Sequence, residues 1–406
     1  MPNIKSLVAM SALLSNAKGY SDPGSKNTNH LRSPKFSTNS KTQINHTLAS
    51  NHSHTRNLQD SSSTEALRLF YTKIDTRCDD CPKIITSDSG LLVTFTNDCN
   101  EQLRTSSLDD VVFIKYGPNG DKEWSKQIGN SDSCYTIYDI VESEDYFGFV
   151  GSVEKNCLNC QSDTYGWIGQ LSKSGDYLAS QRLFQLDSEY EGGEQTTYLK
   201  SVGALADGSM VYSGYTSFDC YYTGAFLGLV NSDLETQWNR EVDTVNFDFV
   251  GLKDGNFIAQ EIGTTHPRLT KFNAVDGSKI WTRNYHSRAE LFSSIEATAD
   301  GGTISAAYDH AYDTYMSVWK HKSDGTLEWE QINHGTYAVA YYATEMTNGN
   351  FLVIGKTKEY TNDGSFELFI AKLANNGTLV QLTTYDTLTV GKLIHVEDDG
   401  KITMVI

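Results

Sequence analysis

Cysteine is the residue most able to do chemistry in this chain. All seven copies fall in the first 220 of its 406 residues: Cys78, Cys81, Cys99, Cys134, Cys157, Cys160 and Cys220. Two pairs, "CDDC" and "CLNC", have the spacing of zinc knuckles. Four thiolates from two such knuckles hold zinc when the knuckles lie close in sequence. Here Cys81 and Cys157 are far apart, and in an oxidising compartment such thiols pair with one another instead. All seven are therefore disulfide candidates, and no metal is expected at them. An odd number leaves one thiol unpaired or intermolecular, and the pairing stays open. A thioredoxin-like role would need a strand running into a helix start, which the pattern lacks.

Other reactive types are present without a recognisable arrangement. Asp187, Glu189, Glu191 and Glu194 cluster in one stretch, but not at the spacing of an EF-hand loop. They read as a solvated acidic loop that could sit on a binding face. Tyr221-Tyr222 and Tyr341-Tyr342 could serve a carbohydrate or protein contact, or simply pack. No G-x-S-x-G, H-E-x-x-H or phosphate-cradling glycine loop occurs, so no catalytic residue is assigned and no cofactor is expected. The formal net charge of -18 repels phosphate backbones, so nucleic acid is not an expected partner.

The ends of the chain frame these residues. Lys5 precedes a short apolar run, Leu7 to Leu14, and Ser15-Asn16-Ala17 fits a small-x-small cleavage site. Residues 1–17 therefore read as a signal peptide and the protein as secreted or extracellular. No later run is long and apolar enough for a transmembrane helix. Residues 18–64, rich in Ser, Asn and His, cannot bury enough surface to offset their ordering entropy and read as a disordered leader. His30, His46, His52 and His54 lie in this polar segment, where weak metal binding is conceivable chemistry but a plain linker is the expectation. Asn45 and Asn51 head glycosylation sequons there, and Asn376 heads a third further on.

From residue 65 to 406 two kinds of turn alternate. The first kind lies between two β-rich runs: Asp88-Ser89-Gly90, Glu144-Asp145, Asp207-Gly208, Asp254-Gly255, Asp300-Gly301, Asn348-Gly349 and Asp399-Gly400. Asp-Gly and Asn-Gly favour tight hairpins because they tolerate positive φ. The second kind holds Gly120, Gly175, Gly277, Gly325 and Gly377, with Leu234 in the slot of the third copy. Four residues beyond it stands a tryptophan in four copies, Trp124, Trp238, Trp281 and Trp329, replaced by Ala179 and Gln381 in the other two. Each unit is thus strand, tight turn, strand, longer connection, strand, turn, strand.

Successive glycines 208, 255, 301 and 349 are spaced like the units of a β-propeller, one four-stranded blade every ~40–50 residues. The four tryptophans are then structural, filling the space between neighbouring blades. Six complete units are followed by a lone hairpin, "KLIHVEDDGKITMVI", and preceded by a lone strand-like run, Ala66 to Asp75. The economical solution is closure, with that run serving as an outer strand of the blade built by the C-terminal hairpin. The fold expected is all-β, a propeller of seven four-stranded blades.

The spacing K-x-x-x-x-G-x-x-x-W in "KYGPNGDKEW" and "KHKSDGTLEW", with "NAVDGSKIW", resembles the repeats of pyrroloquinoline-quinone-like and delta-60-type propellers. The resemblance covers most of residues 66–406 and implies the fold and, loosely, scaffolding or adhesion. Quinone enzymes of this kind usually have eight blades, and no quinone-binding motif is present, so their chemistry is not carried over. The Gly-His and Trp-Asp dipeptides of WD40 repeats and the Gly-Gly doublets of Kelch repeats do not recur.

In a four-stranded meander the first and third turns share one end. Every cysteine falls at the other end, in second connections or in links between blades, or at their edges. That end also carries the connections Asn97 to Asp109, Glu154 to Asp163, Leu186 to Thr197 and Ser217 to Thr223, read as long loops. The function expected is a non-enzymatic scaffold binding a protein or glycan on this loop-rich face. The alternative is a carbohydrate-active hydrolase or lyase with carboxylates gathered at the channel mouth, a site that would leave no local motif.

Overall fold

The computed structural model describes residues 55–57, 82–96, 111–118, 120–129, 133–155, 164–183, 195–218, 221–242, 247–261, 268–285, 291–308, 315–334, 338–357, 367–385, 393–396 and 402–405. All regular structure among them is β-strand, so no helix there is long and apolar enough to cross a membrane.

Six antiparallel sheets follow one another, each a four-stranded meander in chain order. The first is built from Lys83–Ile85, Leu91–Thr96, Val111–Tyr116 and Lys122–Ile128. The second holds Ser133–Glu142, Tyr146–Lys155, Thr164–Ser172 and Tyr177–Leu183. The third holds Gln195–Ala204, Met210–Phe218, Tyr221–Val230 and Thr236–Val242. The fourth holds Phe247–Gly251, Phe257–Glu261, Arg268–Phe272 and Lys279–Asn284. The fifth holds Leu291–Ala297, Thr303–Tyr308, Tyr315–His321 and Leu327–His334. The sixth holds Ala338–Glu345, Phe351–Thr357, Glu367–Leu373 and Leu379–Tyr385. A hairpin, Leu393–Val396 with Ile402–Val405, ends the chain.

The first strand of each sheet touches the first strand or inner strands of the next, and the C-terminal hairpin touches both Ala338–Glu345 and Lys83–Ile85. The sheets therefore form a ring around an axis, with first strands innermost: a β-propeller. Second strands are buried on both faces, as in Phe257–Glu261, whereas fourth strands such as Lys279–Asn284 are largely exposed. That gradient explains the near-continuous apolar runs of the middle strands and the polar alternation of the outer ones. The ring is closed by a two-stranded hairpin; the run Leu67 to Ile74, expected to add an outer strand there, lies outside the described residues. Within the stretch read as leader, Thr55–Asn57 pairs with Gln381–Thr383 and adds a fifth, outermost strand to the sixth sheet.

Five of the six described first turns are locked by their own side chain. Asp88, Asp207, Asp254, Asp300 and Asn348 each accept the backbone amide two residues on. In three sheets the same aspartate also receives a buried lysine from the third strand: Lys115 with Asp88 at 2.9 Å, Lys271 with Asp254 at 2.6 Å and Lys320 with Asp300 at 2.7 Å. In the first sheet Ser89, not Gly90, takes the positive φ, at 63°. Glycine is needed at 90 for a different reason: a Cβ there would lie 2.3 Å from both Lys115 Nζ and the Tyr116 carbonyl oxygen.

The tryptophans join sheet to sheet. Trp124 lies against Gly175, Trp238 against Gly277, Trp281 against Gly325 and Trp329 against Gly377, in each case the third-turn glycine of the following sheet. Trp124, Trp238 and Trp329 also donate their indole N–H to a carbonyl of that turn, on Lys173, Ala274 and Asn375. Where Ala179 replaces tryptophan, the next turn carries Leu234 instead of glycine, buried beside Ala179 and held at φ 65°. The small–large order of the pair is inverted and the interface stays filled.

Candidate functional site

The ring axis is where side chains from different sheets converge. Four first strands carry a β-bulge at the same place, at Tyr138, Lys200, Ser293 and Tyr341. A bulge re-aims one side chain out of the ladder. The residue after it lies four positions before the first turn: Asp139, Ser201, Ser294 and Tyr342, with Asp248 at the matching place in the fourth sheet.

Three of these positions bridge to the following sheet. Asp139 accepts the Val202 amide at 2.9 Å, Asp248 accepts the Ile295 amide, and Ser294 Oγ accepts the Ala343 amide at 3.3 Å. Glu296, two residues beyond Ser294, accepts a hydrogen bond from the Tyr342 hydroxyl. Burial pushes Asp139 up to about 7, against the Val202 hydrogen bond, and the charge of Asp248 adds to the rise. Burial likewise lifts Asp248 to about 6 despite the amides of Phe249 and Ile295. Glu296 rises to about 7 by burial, opposed by Tyr342 and reinforced by Asp248. The charge of Asp248 in the fourth sheet thus reaches both Asp139 in the second and Glu296 in the fifth.

A cation stands apart from them. Lys200 Nζ lies 3.3 Å from the centroid of the Tyr138 ring and 5.7 Å from those of Tyr198 and Tyr215. Tyr198 and Tyr215 are stacked, their centroids 4.9 Å apart. Burial lowers Lys200 to about 8.

Of the residues singled out by sequence, Tyr342 joins this axial set. Tyr341 and Tyr342 are on the innermost strand of the sixth sheet. Tyr221 and Tyr222 begin a strand rather than lie in a loop. Their neighbourhood corrects one expectation: Ser217 to Thr223 is not a long loop. Strands run to Phe218 and resume at Tyr221, because the β-rich flanks keep pairing almost to the turn. Cys134 is buried on the first strand of the second sheet; the other six cysteines, together with Asp187, Glu189, Glu191, Glu194, Asn45 and Asn51, lie outside the described residues. Asn376 is exposed in the turn that Trp329 covers, its side chain accepting the Thr378 amide. Among the described residues no group of three or more His, Cys, Asp and Glu side chains is placed to hold a metal ion.

Apart from Tyr342, sequence reasoning missed the axial set. One signal was available. Counting back four residues from the first turns of the second to sixth sheets aligns Asp139, Ser201, Asp248, Ser294 and Tyr342, a recurrent polar or hydroxyl-bearing position.

No protein-family model matches the chain, and no curated protein matches it. Solved structures do. The Dos1 propeller is 13% identical, over 78% of this chain and 73% of its own, with a TM-score of 0.45. A europium-containing methanol dehydrogenase is 10% identical, over 78% of this chain and 71% of its own, with a TM-score of 0.45. A functionally unknown protein from Desulfotomaculum acetoxidans is 11% identical, over 82% of this chain and 90% of its own, with a TM-score of 0.47. These likenesses concern the fold and carry no activity over to this propeller.

Proposed function

We propose that this propeller is a secreted, non-enzymatic scaffold that binds a protein or glycan through the end of the ring opposite its tight turns. One observation carries the reading. The axial carboxyls each tie one sheet to the next, Asp139 to Val202, Asp248 to Ile295 and Glu296 to Tyr342, and so serve the rigidity of a scaffold. A disulfide at Cys134 would fit an oxidising compartment. The exposed Asn376 would carry a glycan on the tight-turn end, leaving the other end for a partner. That end joins second to third strands through residues 97–110 and 156–163, and links the second sheet to the third through 184–194. Loops on a rigid scaffold are where binding usually resides.

The test is a glycan array and a pull-down with the full chain, its segments 156–163 and 184–194 shortened together. Partner binding is expected to disappear while the thermal melt is unchanged. Retention of full binding by the shortened protein would sink the reading.

A further inference from the structure

The fourth strand of each sheet ends its ladder at the rim of the ring, where its outward amides and carbonyls meet water or a further strand. Five of the six described fourth strands carry an exposed charge there: Lys122, Arg182, Arg240, Lys279 and Glu328 in ring order. Such charges oppose pairing with another chain, because an added strand would strip their water or set like charges face to face. The sixth, Leu379–Tyr385, reads LVQLTTY and has no charge, no proline and no glycine. Its Val380 is 40% exposed. An uncharged edge of β-prone residues is a template for edge-to-edge association.

This strand is also the one that is covered. Among the described residues it alone has an extra strand on its outer side, Thr55–Asn57, paired antiparallel with Gln381–Thr383. Arg56, at the centre of the added strand, gives the new rim the charge that Leu379–Tyr385 lacks. The cover is short. It meets three residues of the seven, and on that side Leu379 and Val380 extend past one end and Thr384 and Tyr385 past the other. So few ladder bonds hold a three-residue strand weakly, and a longer partner can displace it.

The sequence of the edge says what that longer partner is. Two copies of Leu379–Tyr385 laid antiparallel about Leu382 set Val380 opposite Thr384 and Gln381 opposite Thr383, with every residue paired and no charges opposed. Such a pair is two-fold and closes on itself, so association stops at two chains. We propose that Leu379–Tyr385 is a surface through which a second copy of this chain pairs, and that Thr55–Asn57 is a strap that keeps the two apart. This rim surface is separate from the loop-bearing end, and its failure leaves the reading of that end standing.

The full chain carrying Thr55→Pro and Arg56→Pro tests it. Successive amides of a strand point to opposite sides, so one of the two prolines takes a donor out of the ladder to Gln381–Thr383. Sedimentation equilibrium over a concentration series reads the molar mass. In about 0.15 M salt the repulsion between two chains of -18 is screened within about 8 Å. The parent is expected at the mass of one chain throughout, and the variant to rise toward twice that mass with concentration. Val380→Lys, added to the variant, puts a charge on the bare edge and returns it to one chain. Should the proline variant lose its cooperative melt, Thr55→Gly, Arg56→Gly and Asn57→Gly together weaken the strap instead. The proposal is overturned if the parent is already two chains, if the folded variant stays at one, or if Val380→Lys leaves its association unchanged.

Discussion

At the residue scale the axis and the turns respond to pH in opposite directions. Asp139, Asp248 and Glu296 hold protons more tightly folded than unfolded. Folding therefore takes up protons, and this contribution to stability is present in acid and lost as pH rises through about 6 to 7. Asp300 behaves conversely. Burial raises it, but the hydrogen bonds from Lys320, Thr298 and Gly302 outweigh that and hold it at about 2. Its contribution is present above the unfolded value near 3.8 and fades as pH falls toward 2. Asp248→Asn removes the repulsion felt by the other two carboxyls, so carbonyl-carbon NMR titration should find Asp139 and Glu296 both titrating lower than in the parent. No movement in either would contradict the shared axis. Asp300→Ala leaves Lys320, whose side chain is 4% exposed, with Glu328 at 3.4 Å and the His321 carbonyl oxygen at 3.1 Å. We expect a loss of about 2 kcal/mol in denaturant melts, below the ~3–5 typical of a broken buried pair because Asp300 is half-exposed. Lys320→Met should stay within about 1 kcal/mol of the parent. The turn aspartates were legible in the sequence because turn chemistry is local. Asp139, Glu296 and Lys200 were not, since each acquires its meaning from a strand dozens of residues away.

At the scale of the element, the strands and turns were the most readable part of the chain. The glycines mark the turns, and the tryptophans recur at a fixed offset from them. The sequence also displayed Ala179 and Leu234 as two separate departures from the pattern; only the ring order reveals them as partners, one on each side of a single interface. Ala179→Trp alone should destabilise by overpacking, about 1–3 kcal/mol. Leu234→Gly alone relieves the positive φ but leaves a void. The double variant restores the arrangement of the other interfaces, with a favourable coupling of roughly 1–3 kcal/mol between the two sites in a double-mutant cycle. Additive single effects would mean that the two residues do not compensate. The connection at Ser217 to Thr223 was misread because cysteine and paired tyrosines look like loop residues, while pairing energy along two long strands carried the ladder to Phe218 and Tyr221.

At the scale of the whole molecule the ring order is the dominant fact. Thr55–Asn57 sits at the outer edge of the sixth sheet and Lys83–Ile85 at the inner edge of the first, with the C-terminal hairpin between those sheets. A strand from Ala66 to Asp75 completing the hairpin's sheet remains our expectation. Deleting residues 66–76 should bare a sheet edge, lower the melting temperature and promote association, as light scattering would detect. A monomeric deletion protein with an unchanged melt would rule the closure out. Repeats so alike also carry a hazard during synthesis, when a newly made sheet could settle beside the wrong neighbour. The inverted pair at the second interface guards against it. A second sheet placed before any glycine-bearing turn would leave Ala179 facing a gap, and a tryptophan-bearing sheet placed before the third would drive its indole into Leu234. One irregular junction thus gives an otherwise repetitive circle a fixed starting point, and the order of assembly is written into a mismatch of side-chain size.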